Sequence, residues 1–228
     1  MRTILVGTLL LAAGACGDST TPTPLTGNAR LQVVNTLTNV GSVDVLVGGK
    51  LAIAALPAGQ ASLVTAVPEG MQDVAVRATG SSATPHAVSL NLVAGDTTTV
   101  LTIDSSTILN PWVLTDTGSV VPAGRTKLRV VNFVDSATSI LAWRTQPDWS
   151  DFITVQFPFP AWNASPYLES DPGDWRVLIA TAAYQGGVPA LTDTLAMTEA
   201  ITIPAGQSRT VIAMDDGSGG VTLVVITP

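Results

Sequence analysis

The chain has 228 residues and a net charge of −7, with 46% hydrophobic and only 12% charged residues. That apolar share supplies a folded core and excludes a disordered chain. The acidic balance, without a Lys/Arg-rich patch, disfavours nucleic-acid binding, which needs basic groups to neutralise phosphates. Two lysines and three glutamates leave little for long surface helices, whereas 20 glycines and 15 prolines punctuate the chain as many turns require.

Taken from the start, Met1-Arg2 is followed by an uncharged run, Ile4 to Ala15. Such a run is too short to span a bilayer, which takes about 20 residues, and reads as a secretory signal peptide over 1–15. It ends in Leu11-Ala12-Ala13-Gly14-Ala15-Cys16, which resembles the lipobox of bacterial lipoproteins, although Ala13 stands where leucine is usual. The resemblance implies that Cys16, the only cysteine, is lipidated and becomes the first mature residue, giving membrane attachment through an N-terminal lipid. A single cysteine also excludes an intramolecular disulfide. Residues 16–28 then form a lipid-anchored tether, since Gly17 to Thr26 is built of small polar residues and prolines. In some bacteria an Asp directly after the cysteine favours the inner membrane. Here Gly17 intervenes before Asp18, so the outer membrane or cell surface is expected.

Beyond the tether an internal repeat is visible. Leu31-Gln32-Val33-Val34-Asn35 returns as Leu128-Arg129-Val130-Val131-Asn132, and Ala94-Gly95-Asp96-Thr97-Thr98-Thr99-Val100 as Ala205-Gly206-Gln207-Ser208-Arg209-Thr210-Val211. Landmarks repeated in order predict two domains, 29–118 and 126–228, joined by a linker at 119–125. In the first, strands are expected at Leu31–Asn35, Val43–Val47, Ala61–Val67, Asp73–Ala78, Ala87–Val93, Thr97–Ile103 and Trp112–Thr115. In the second they are expected at Leu128–Phe133, Ser139–Trp143, Phe152–Phe157, Trp175–Ala180, Thr194–Ile203, Thr210–Met214 and Val221–Thr227. The fold class expected is all-β: two tandem immunoglobulin-like antiparallel β-sandwich domains.

The runs Ala29–Asn35, Val43-Asp44-Val45-Leu46-Val47 and Val67-Pro68-Glu69-Gly70 resemble the exported bacterial family known as domain of unknown function 4397, whose members open with a run like RVVHASPDAPAVDVYVDG. Asn35 stands where the family often has histidine, and the second half lacks an equivalent of Asp44. The resemblance covers 29–118 and, more loosely, 126–228. It implies an extracytoplasmic β-sandwich, often in tandem behind a lipoprotein signal, and no established chemistry.

The catalytic inventory is thin. His86 is the lone histidine and is expected in a loop, so no histidine-based metal cluster forms within one chain, and a solvent-exposed or packing role is expected over a catalytic one, since a triad also needs a positioned nucleophile and an orienting acid. No glycine run matches a phosphate loop, and no cofactor is expected. Asp148 and Asp151 lie three apart, and Glu169, Asp171 and Asp174 cluster near Pro172-Gly173; paired carboxylates can serve glycoside hydrolysis, but these read as turn residues. Asp215-Asp216-Gly217 lacks the spaced ligands of a calcium loop and reads as a hairpin turn.

Eight of the eleven aromatic residues fall between Trp143 and Trp175, within a proline-rich insertion of the second domain. They either fill a second core or, through Trp149, Phe159, Trp162 and Tyr167, form an exposed ligand-binding platform. The expected function is a non-catalytic cell-envelope lipoprotein presenting its domains for structural or adhesive contact. The alternative is a carbohydrate- or peptide-binding lipoprotein using the aromatic-rich loop. An envelope protein or a glycan is the expected partner.

Overall fold

The computed structural model describes residues 27–83, 85–105, 108–114, 120–134, 139–181, 183–185, 188–190 and 193–227. The expected signal peptide and Cys16 lie outside them. The described residues are all-β and include no helix long and apolar enough to cross a membrane. The first half contributes β1 (Ala29–Val34), β2 (Ser42–Val47), β3 (Lys50–Pro57), β4 (Thr65–Val67), β5 (Gly70–Ala78), β6 (His86–Leu92), β7 (Thr97–Ser105) and β8 (Ile108–Leu114). The second contributes β9 (Thr126–Phe133), β10 (Ile140–Thr145), β11 (Ile153–Phe159), β12 (Asn163–Ala164), β13 (Leu168–Ser170), β14 (Gly173–Thr181), β15 (Ala183–Gln185), β16 (Val188–Ala190), β17 (Thr194–Met197), β18 (Ile201–Ile203), β19 (Ser208–Asp215) and β20 (Val221–Ile226).

Each half stacks two sheets. In the first the orders are β4-β1-β7-β8 and β3-β2-β5-β6. In the second they are β12-β9-β19-β20, with β13 also on β9, and β11-β10-β14-β17, with β18 also on β14. The short ribbon β15–β16 stands apart from both. The sheets are not purely antiparallel: β1 runs parallel to β7, and β9 to β19. Parallel neighbours need a long crossover, which is why the repeated motifs that pair lie far apart in sequence.

Register repeats along with strand order. Leu31 pairs Thr98, and Leu128 pairs Arg209 at the corresponding motif positions. Gly95 N–H donates to Asn28 O as Gly206 N–H does to Arg125 O, both at 2.8 Å. The Ser62 and Ser165 hydroxyls accept from the amides of Val33 and Val130, both at 3.0 Å. Asn35 and Asn132 are fully buried. The Asn35 carboxamide accepts from Leu37 N–H and the Thr102 hydroxyl and donates to Leu56 O, and Asn132 accepts from Val134 N–H.

Leu31, Val33, Val43, Val45, Val74, Val76 and Val100 fill the core between the first pair of sheets. Leu128, Val130, Ile140, Ala142, Val177, Ile179 and Val211 do the same in the second. A third cluster joins the halves. Val34, Leu101 and Leu114 of the first meet Val131, Phe133, Ile212, Met214 and Ile226 of the second, and the Trp112 ring meets Phe133 edge-on at 5.2 Å. Equivalent positions line both sides of this seam: Val34 and Val131, Leu101 and Ile212, Leu114 and Ile226, Ala61 and Ala164. The chain therefore stacks four sheets, the middle two buried on both faces, and the seam has the self-complementary form of a two-fold interface.

The outer sheets differ. In the first half Asp44, nearly buried on the outer face of β2, accepts from Ala55 N–H at 3.0 Å, the Thr79 hydroxyl at 3.2 Å and Arg77 Nε at 3.4 Å. It thereby pins a bulge at Ala55, a non-glycine residue at φ 49°. In the second half that face is apolar, with Leu141, Trp143, Leu178 and Ala180 buried together. His86, expected in a loop, instead begins β6, paired with Val76, so the strand starts one residue before the expected Ala87.

Candidate binding surface

The two halves diverge at one hairpin tip. In the first, β2 turns into β3 through Gly48-Gly49, at φ 56° and 76°. Only glycine takes two successive left-handed positions without strain, so this is a minimal hairpin. In the second half β10 and β11 are joined by Gln146 to Phe152 instead. Within that turn Trp149 lies at φ 66° and Asp151 at φ 50°, values a bulky side chain adopts only when its surroundings impose them.

The surroundings do impose them. Gln146 N–H donates to Ser150 O at 3.0 Å and Trp149 N–H to Gln146 O at 2.9 Å. Ser150 N–H and hydroxyl both reach Asp148 Oδ1, at 3.0 and 2.6 Å, and the Thr145 hydroxyl donates to Ser150 O at 3.0 Å. These bonds hold the Asp148 carboxyl below the usual carboxylate range. A general acid would need the opposite shift.

The turn displays apolar surface. Trp149 is 50% exposed, Phe152 42% and Ile153 38%. Phe152 stacks on Trp143 with ring centroids 6.0 Å apart, so one face of its ring rests on the buried outer-sheet cluster. Beneath the turn, Arg144 is buried with its guanidinium 3.9 Å over the Trp175 ring. It donates to Asp151 Oδ2 at 2.8 Å and to the Ser170 hydroxyl.

The four residues expected as a platform stand in different places. Trp149 tips the outer-sheet hairpin, as above. Trp162 leads into β12 on the inner sheet, its N–H bonded to Asn132 O at 2.7 Å and its ring 5.0 Å from Phe133 at the rim of the seam. Tyr167 is half-buried under the Arg129 guanidinium, 4.5 Å from its ring centre. Phe159 closes β11 opposite Ile140, and its side chain lies outside the described residues, as does that of His86. Trp143 and Trp175 are buried in the outer-sheet and core clusters. Sequence reasoning passed over Phe152, Ile153 and Arg144. Phe152 belonged to the aromatic cluster, but nothing in a single sequence separates a ring packed on another from one pointing inward.

The grouped carboxylates are engaged singly. Asp151 is bound by Arg144, Asp171 by Arg125, Glu169 by Lys127 at 3.8 Å, and Asp174 by the Thr202 hydroxyl at 2.6 Å. Among the described residues no three His, Cys, Asp or Glu side chains are placed to hold a metal ion. A groove of about 570 Å³ opens between the sheet edges at β17, β18 and β20, lined by Met197, Glu199, Ile201, Val221, Leu223 and Val225.

Residues 29–141 match the family model described as Domain of unknown function (DUF4397). The match runs through β9 to the start of β10. No curated protein matches the chain. Among solved structures it is similar to the crystal structure of CBMbc, of family CBM26, from Eubacterium rectale Amy13K in complex with maltoheptaose. Identity there is 11%, 87% of this chain and 97% of that chain are covered, and the TM-score is 0.27.

Proposed function

We propose, from the match of residues 29–141 to the DUF4397 model, that this chain is a non-catalytic lipoprotein of the bacterial cell envelope, and that 29–118 and 126–228 are two copies of that domain. The lipid is carried on Cys16, and the outer membrane or cell surface is its place. The second copy makes structural or adhesive contact through the β10–β11 turn. One observation carries this reading: where the first half needs only Gly48-Gly49, the second spends seven residues on a hydrogen-bonded turn that holds Trp149 half-exposed in a strained backbone. A rigid exposed indole buries much area with few rotors, which suits it to anchor a partner. The same flat face favours a carbohydrate or peptide as the occupant, the second reading. The singly engaged carboxylates and the downward shift at Asp148 support contact over hydrolysis.

Retention of the mature chain on purified peptidoglycan sacculi and on outer-membrane vesicles tests the contact. Trp149→Ala is expected to reduce retention about tenfold or more, a hot-spot loss of at least ~1.4 kcal/mol. Its melting temperature should stay within about 2 °C, since a half-exposed side chain contributes little to stability. Equal retention of both proteins on both materials rejects the turn as the contact. For the anchor, Cys16→Ser is expected to abolish palmitate labelling and release the chain from the membrane fraction. Unchanged labelling would count against lipidation at this residue.

A further inference from the structure

The two halves allow a comparison position by position along β2 and β10. Val43, Val45 and Val47 point into the first core and pair Ala78, Val76 and Val74 on β5. Ile140, Ala142 and Arg144 occupy the same register on β10, pairing Thr181, Ile179 and Val177 on β14. At the last inward position, directly beneath the hairpin tip, the first half has a buried valine and the second a buried arginine.

Burying a guanidinium where a valine suffices is unfavourable unless the charge is engaged. The Arg144 side chain is 4% exposed, and burial pushes the guanidinium down from its ordinary range, opposed by the Asp151 carboxylate. Its contacts radiate from one point: Trp175 below, the Ser170 hydroxyl and Glu169 O on the β13 segment, and Asp151 in the turn above. Asp151 is one of the turn's two left-handed non-glycine residues, and the other, Trp149, lies two residues before it. The arginine and the long turn occur in the same half, and both are missing from the other.

We infer that Arg144 is a positioning residue for the β10–β11 turn: it clamps Asp151 to the sandwich and so fixes the backbone that presents Trp149. This rests on the reading of that turn as the contact surface. It assigns to a core position a purpose that lies at the surface above it.

Hydrogen exchange on the full mature chain, with retention on sacculi measured in parallel, tests the inference. The variants are Asp151→Asn, which removes the charge of the clamped group, and Arg144→Val, which installs the first half's own solution. In both, the amides of Gln146 and Trp149 are expected to exchange about five- to tenfold faster, as the loss of a partly buried charge-assisted bond implies. The β10 amides of Ile140 and Ala142 should not change, and retention on sacculi should fall as it does for Trp149→Ala. Unchanged turn exchange in Asp151→Asn overturns the inference, as does faster exchange spread evenly over β10 and β14. If Arg144→Val fails to fold, Asp151→Asn alone decides. Should the unmodified chain itself not bind sacculi or vesicles, the contact reading fails, while the exchange arm still decides what Arg144 holds.

Discussion

Leu101 and Val100 are neighbours on β7, yet they serve different bodies of hydrocarbon: Val100 faces the first core and Leu101 the seam between the halves. Replacing Leu101 with alanine removes a fully buried side chain whose transfer contributes about 1.5–3 kcal/mol, and the cavity left behind brings the expected loss to roughly 3 kcal/mol. At about 2–4 °C per kcal/mol for a chain of this size, the melting temperature falls by some 6–12 °C. The informative readout is where the loss is felt. Because Ile212 and Val131 share the cluster with Leu101, amide exchange in β9 and β19 should quicken together with that in β7. Val100→Ala, which removes about 2 kcal/mol of burial from the first core, should act mainly on β1, β2, β5 and β7. Exchange in β19 left unchanged by Leu101→Ala would refute the seam as a shared element of stability.

Two further outcomes follow from named hydrogen bonds. Asn35→Ala leaves Leu56 O, Leu37 N–H and the Thr102 hydroxyl without their buried partner, and should cost about 2–4 kcal/mol in urea unfolding; less than 1 kcal/mol would contradict that role. The Asp148 carboxyl is held below its ordinary range in the folded chain because the Ser150 hydroxyl and then its amide favour the ionised form. Its contribution is therefore fully present above the ordinary carboxylate pKa of about 3.9 and is lost as pH falls through the depressed value. Turn amide exchange, corrected for its intrinsic pH dependence, should be flat from pH 8 to 5 and loosen only below about pH 4. A transition centred near pH 6 would exclude Asp148 as its cause.

The all-β class and most strand positions were legible because alternation and turn residues are local signals. Misses have local causes too. Lys50–Pro57 went unrecognised because its leucines and alanines do not alternate, and the bulge at Ala55 shifts the register that alternation depends on. Thr194–Ile203 reads as one strand but is two, since the Thr198 hydroxyl leaves the ladder to accept from Val177 N–H. Parallel pairing of β1 with β7 is a long-range choice that no window of sequence reveals. The seam did leave a trace: Val33 and Val34 are adjacent and both apolar, as are Val130 and Val131, which is the pattern of a strand buried on both faces. Of the candidate surface, Trp149 was found by its residue type, whereas the burial of Arg144 beneath it depends on packing that sequence alone does not contain.

The seam also carries a thermal consequence. Its lining is aliphatic and aromatic, from Val34 and Leu101 across to Met214 and Ile226. Attraction between such surfaces is driven by water, and it slackens on cooling because the hydration of hydrocarbon becomes less unfavourable. The union of the halves is accordingly weakest in the cold, and a chilled solution, not a warm one, is where each would begin to move independently of the other.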